Sequence, residues 1–297
     1  MDIIFNGLSL SSIILLTSLG LAITFGLMRV INMAHGEFVM IGAYTAYVVQ
    51  KLFQDNLSEN YGDLGYFISI IIAFVVTFLL GSVLEKLVVS RLYGREMDSL
   101  LATWGISLIL QQAARTIFGT QGVLVTTPKC LSGSIKIGGS SLSMTRLFII
   151  LLVTFCLFLV WFIQYKTNFG RQMRAVMQNR SMAQCMGINS RRIDNITFSI
   201  GSGLAGIAGC SIALLGSIDS TVGQSYIVNT FMAVVLGGVG KLLGTVIGAI
   251  IIGFSSIGFE TITSSSIAKA IVLLIIIIFL QKKPQGLFTV KSRALDE

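Results

Sequence analysis

The chain has 297 residues, of which 54% are hydrophobic and only 11% charged, with a formal net charge of +8. Soluble domains carry roughly 25% charged residues, so this balance, with a mean hydropathy of +0.86, excludes an ordinary soluble protein and predicts an integral membrane protein. In such a chain a basic surplus belongs to the loops that set topology, not to nucleic acid. The four cysteines (Cys130, Cys156, Cys185, Cys210) are scattered without metal-ligand or framework spacing.

Apolar segments lie near residues 8–28, 37–53, 66–89, 99–118, 146–164, 195–216, 226–258 and 267–281. Several reach the ~20 residues that a helix needs to cross the hydrocarbon core, and none shows the ~10-residue alternation of a membrane barrel. The predicted fold is an all-α polytopic membrane protein, one transmembrane domain over residues 1–297, with about eight apolar segments. The first run, Leu8 to Leu27, is too long for a signal-peptide core and is expected to remain as a span.

That run leads into "INMAHGEF", which gathers Asn32, the single histidine His35, and Glu37. Ionisable groups at membrane depth cost ~2.5–3.5 kcal/mol each and face a bundle interior or a wet path, so the cluster is a candidate for a solute pathway. Asn32 and His35 offer hydrogen bonds to a neutral polar solute; Glu37 alternatively pins the turn, through backbone N–H groups or by pairing with Arg29. One histidine and one carboxylate do not make a recognisable metal site. Trp104, Gln111 and Gln112 in the fourth segment and Asn229 in the seventh are further polar residues within apolar runs, and join the pathway candidates.

Between the fifth and sixth segments lies "QYKTNFGRQMRAVMQNRSMAQCMGINSRRID", where Lys166, Arg171, Arg174, Arg180, Arg191 and Arg192 face Asp194 alone. By the positive-inside rule this loop, about residues 165–194, is cytoplasmic, together with "SRLYGRE" and the tail at Lys282 and Lys283; the acidic stretch Gln54 to Asp63 and the N-terminus are then outside. Parity requires residues 226–258 to cross twice or to dip in and return. The break falls at "LGGVGKLLG", with Gly237, Gly238, Gly240 and Gly244, and interrupted helices of this kind line transporter sites. Residues 120–143, rich in Gly, Ser and Thr, are expected to form a solvated external connector or a contact for an external partner.

Small residues recur every fourth position at Gly201, Ala205, Gly209, Ala213 and Ser217, and again at Gly240, Gly244 and Gly248. These are expected packing stripes, because helices in lipid associate through close van der Waals contact. The central loop interleaves its arginines with Met173, Val176, Met177, Met182, Met186 and Ile188, a pattern that fits a helix docked on a membrane surface or in a groove of another protein.

"SMAQCMG" resembles the EAA-type loop of ABC importer permeases, with Ala183 and Gly187 at the expected spacing and Ser181 where glutamate often stands. "INMAHGEFVMIGAY", "GRQMRAV" followed by "MGIN", "VVLGGVGKLLGTVIGAIIIG" and "KKPQGLF" occur in the order seen in permeases of the branched-chain amino acid ABC importer family. The forms "SLGLAITFGLMRVINMAHGEF", "ATWGISLILQQAARTIFGTQ" and "GGVGKLLGT" are closer to the urea importers of that family. The resemblance implies a permease of the bacterial inner or plasma membrane that pairs with a homologous second permease, two cytoplasmic ATPases and an extracytoplasmic binding protein. It implies urea as the solute, with a branched-chain amino acid or short amide as the alternative. The same resemblance makes the loop a coupling helix seated in the ATPase, carried by Arg171, Arg174, Met177, Arg180, Ala183 and Gly187.

No cofactor is expected in this chain: "GGVGKLLG" lacks the spacing and hydroxyl of a P-loop, so ATP and magnesium belong to partner subunits. A passive solute channel is the competing class, for which pore-lining polar residues suffice. An intramembrane enzyme would need a nucleophile and base or a metal set, and neither is visible.

Overall fold

The computed structural model describes residues 2–28, 30–57, 62–137 and 140–288. Two helices form the centre, α1 (Asp2–Met28) and α8 (Ser190–Ala213). In each, 83% of the apolar stretch is buried, against 22% for α3 (Gly62–Leu87) and α5 (Met144–Lys166) and 17% for α11 (Ser265–Lys282). Those three are the rim, and present Ile71, Leu79, Leu151, Phe155 and Leu274 outward as a lipid-facing surface.

The central helices are rich in small and hydroxyl residues, and their hydroxyls are satisfied locally. Thr17, Thr24, Thr197 and Ser202 donate to carbonyls one turn back in their own helices, so close packing does not strand these hydroxyls. The small-residue stripe of α8 supplies that packing: Gly201 lies against Gly20 and Thr24 of α1, and Gly209 against the backbone of Val39 and Ala43. Gly237 faces Gly244, and Gly248 faces Ala233.

The long seventh segment is two helices, α9 (Val222–Gly237) and α10 (Leu242–Glu260). They are joined by a turn in which Gly238 (φ +98°) and Gly240 (φ +87°) occupy the left-handed region that disfavours side chains. This delivers the pair of antiparallel helices that parity requires. The tail closes the turn, with Leu287 and Phe288 N–H groups donating to the carbonyls of Leu236 and Gly237 at 2.9 and 3.2 Å. Among the described residues, six helices are long and apolar enough to cross a membrane, and α9 is a shorter apolar helix.

The bundle has two distinct ends. At one, the Val89–Arg91 turn, the short helices α6 (Asn168–Gln178) and α7 (Arg180–Cys185), and the α9–α10 turn come together. At the other, residues 120–143 are not the free connector expected of their composition. Val123 bridges to Ile218, Gln50 brackets Thr126 through both its amide atoms, and β1 (Ser134–Ile137) pairs antiparallel with β2 (Ser140–Ser143).

A Cβ at Gly209 runs into the backbone of Val39 and Ala43, whereas one at Gly258 meets nothing within 4 Å. Gly209→Leu is therefore expected to destabilise by about 1–3 kcal/mol or more through overpacking, and Gly258→Ala to be neutral. Thermal unfolding and membrane abundance check the pair; equal behaviour of the two variants refutes the packing assignment.

Candidate functional site

Helix α2 (His35–Leu57) does not start at a membrane face. His35 Nε2 lies 3.0 Å from the carbonyl oxygen of Thr17, near the middle of the 27-residue α1. A carbonyl only accepts, so Nε2 carries the hydrogen. The first turn of α2 also touches the first turn of α9: a Cβ at Gly36 would sit 2.7 Å from the carbonyl oxygen of Gly223. Two helix beginnings thus meet beside the centre of α1, and Thr230 of α9 donates its hydroxyl to Thr17 Oγ1 at 2.9 Å.

The three backbone donors leading into the first turn of α2 each have a partner. Met33 N–H donates to Thr103 Oγ1 (3.1 Å), Ala34 N–H to Asn32 Oδ1 (3.0 Å) and His35 N–H to the Asn32 carbonyl (3.4 Å). Asn32, His35 and Glu37 are each only 1% exposed. Glu37 sits in the first turn of α2, where a carboxylate is favoured by the helix dipole, and its Oε1 accepts from Ser107 Oγ and Gln111 Nε2, both at 2.8 Å. Asn32 Nδ2, His35 Nδ1 and Glu37 Oε2 have no hydrogen-bond partner among the described residues. Arg29, the alternative partner for Glu37, lies outside the described residues.

Four of the pathway candidates, Asn32, His35, Glu37 and Gln111, are thus brought to one junction. Trp104 and Gln112 are not: both project from the exposed face of α4 (Glu96–Phe118). Gln111 belongs to a stripe at four-residue spacing whose other members, Thr103, Ser107 and Arg115, were missed from sequence. Thr103, Ser107 and Gln111 are buried, and Arg115, itself exposed, donates to Ser220 Oγ at 2.9 Å. That spacing is the signal which would have found them.

Asn229 belongs to a different place, a cavity of about 430 Å³ between α1, α5, α9, α10 and α11 at the hairpin end. Its walls include Asn6, Arg146, Tyr226, Glu260 and Lys269. Both signs of charge are therefore within one solvent-open space, and none of the three charged groups is ion-paired with another described residue.

The loop at the opposite end folds into two short helices. Thr167 Oγ1 caps α6, Asn179 Oδ1 caps α7 and Asn189 Oδ1 caps α8. Arg171 and Gly187 are exposed, the latter at φ +80°. The other loop candidates turn inward. Arg174 donates to the Gln164 carbonyl and stacks 5.3 Å over Tyr165, Met177 rests on Gly240, Ala183 is buried, and Arg180 pairs with Asp194. The apolar side chains presented outward are Met182 and Met186, so the face open to a partner is carried by residues other than Met177 and Ala183.

Broken helices held at depth in a bundle of apolar helices, with a basic loop folded against one end, define a membrane permease. The chain belongs to the family described as branched-chain amino acid transport system, permease component, whose model matches residues 3–280. It is 29% identical over 293 residues to the high-affinity branched-chain amino acid permease LivH of Salmonella typhimurium, covering 95% of this chain and 93% of that one. To BraD of Pseudomonas aeruginosa, of the same description, it is 27% identical over 290 residues, with the same coverage. The ribose import permease RbsC of Escherichia coli is 35% identical over 134 residues, 41% of this chain and 42% of RbsC. No solved structure matches the chain.

Gln111→Leu leaves Glu37 Oε1 with Ser107 as its remaining side-chain donor among the described residues and is expected to lower stability by about 1–3 kcal/mol. Replacing both partners, Glu37→Leu with Gln111→Leu, is expected to recover most of that loss. Unfolding midpoints in lipid decide it, and a double variant no better than the single one sinks the pairing.

Proposed function

We propose that this protein is the permease subunit of an ATP-driven importer of branched-chain amino acids, working with a homologous second permease, two cytoplasmic ATPases and an extracytoplasmic binding protein. The observation that carries this reading is the family match along nearly the whole chain, residues 3–280. ATP is bound by the partners, and this chain contributes the path and its coupling to them.

The cavity at the hairpin end supports an amino acid as solute. A zwitterion asks for opposite charges a few ångströms apart with an apolar wall, and Arg146, Lys269 and Glu260 share this space with Leu10, Ile13 and Ile257. Charged groups in membrane proteins face wet interior space of this kind. A second reading, urea, is favoured by the sequence forms around Asn32 and Gln111 and by the neutral amides at Gln111 and Asn229, which suit a solute that is all hydrogen-bond donors and acceptors. On that reading the charged walls of the cavity play no part in selection.

The test reconstitutes the assembled complex in vesicles and follows labelled leucine and labelled urea, with and without ATP on the side of the Arg-rich loop. ATP-dependent accumulation of leucine against a gradient, weakened about 10-fold or more by Glu260→Gln as expected for a lost charge-assisted contact, establishes the first reading. Accumulation of urea that leucine does not compete with establishes the second. Uptake that merely equilibrates and ignores ATP overturns both in favour of a channel.

A further inference from the structure

The helix α7 carries a feature that a docking surface does not need. Its first residue, Arg180, points away from the exposed Met182 and Met186 and into the bundle. Its guanidinium pairs with Asp194 of α8, which is 1% exposed, and lies 5.0 Å over the ring of Tyr93. The Tyr93 hydroxyl donates at 2.6 Å to Glu85 near the end of α3, itself 2% exposed. Asn195, beside Asp194, donates to the other oxygen of Glu85 at 2.8 Å and accepts from Ser82 at 2.9 Å. Burial, reinforced by the bond to Glu85, pushes the Tyr93 phenol far above its ordinary range, so it stays a donor.

One cation therefore serves a site with two buried carboxylates, and it comes from the loop while both carboxylates come from spanning helices. We infer that Arg180 is a positioning residue for energy coupling: it ties α7 to α8 directly through Asp194 and to α3 indirectly through Tyr93 and Glu85, so that a push on the outer face of α7 moves both helices together.

The geometry of α7 fits a short rigid lever. It is bounded by Asn179, whose backbone is extended (φ −152°, ψ 103°), and by Gly187 at φ +80°. Its neighbour α6 has a separate attachment, through Met177 on Gly240 in the α9–α10 turn. Met173 of α6 also packs near Thr197 and Ile200 of α8, and Gln184 of α7 donates to Ser190 Oγ at 2.7 Å; Arg180 is the loop's charged contact with a buried acid of α8 and, through Tyr93, its link toward Glu85 of α3. A surface ion pair would be worth little and slip easily; here the acidic partner Asp194 is buried, and withdrawing the arginine leaves it without its counter-charge near a second buried carboxylate, Glu85.

This inference rests on the importer reading, and its test uses the assembled complex with its ATPases and binding protein. Arg180→Met, Arg180→Lys and the double variant Arg180→Met with Asp194→Asn are compared with the unaltered complex for ATPase binding, ATP hydrolysis and solute moved per ATP. Arg180→Met is expected to bind the ATPases with unchanged affinity yet to move about 10-fold less solute per ATP, with partial rescue by Arg180→Lys. The double variant is expected to regain stability but not coupling. An unchanged transport ratio in Arg180→Met, or full coupling in the double variant, overturns the inference and leaves the pair a folding element. Weaker ATPase binding in Arg180→Met overturns it too, by making Arg180 a docking contact. Absence of ATP dependence in the unaltered complex removes the importer reading and this inference with it.

Discussion

Backbone that is not helical has no water to turn to inside a bilayer, and each unsatisfied amide there costs several kcal/mol. The bundle is arranged around that constraint. Its two interruptions, ahead of α2 and ahead of α9, are placed against each other and against the middle of α1. The first is backed by α1 and α4, the second by α1 and α2. The polar residues at the junction follow from the same requirement: Asn32 and Thr103 serve the amides of residues 33 to 35, and Glu37 ties α4 to α2 through Ser107 and Gln111. A histidine and a carboxylate at depth thus have structural duties, whatever contact they make with solute.

Holding broken backbone at the centre demands close helix packing around it, and this explains where the glycines lie. Gly36 and Gly223 let the two helix beginnings touch, while Gly201 and Gly209 bring α8 against α1 and α2. The result is a tight centre whose helix hydroxyls bond locally, surrounded by α3, α5 and α11 with large exposed apolar faces. Apart from Glu37 at the junction, the charged groups described above lie at the ends. At the hairpin end they line an open cavity; at the loop end they are gathered into a buried network through which α7 grips α3 and α8.

How much of this was legible in the sequence depends on the range of the interaction. Helix number and the doubling of the 226–258 segment followed from hydropathy and charge sidedness, because they reflect the bilayer and not any particular contact. The Gly238–Lys241 turn was visible as a glycine cluster, since only glycine is at ease with φ near +98° and +87° there. The "KKPQGLF" tail was recognisable as a motif, but its bond to the α9–α10 turn was not, because residues 236 and 287 are joined by backbone groups that leave no mark in side-chain pattern.

Long-range polar pairings were the least legible. Glu37 and Gln111 were each picked out, yet nothing local joins residues so distant, and the neighbouring Gln112, equally polar, turns to the exposed face of α4. One hundred degrees of helix rotation separates a buried partner from a surface residue. The same rotation governs the loop: arginines alternating with methionines announce an amphipathic helix, but which side faces the bundle is fixed by Asp194 of α8, Glu85 of α3 and Tyr93 of the turn ahead of α4, all outside the loop's own helices. Sequence therefore marks the loop as an interface, while the direction in which Arg180 points shows that the loop has two working faces and not one.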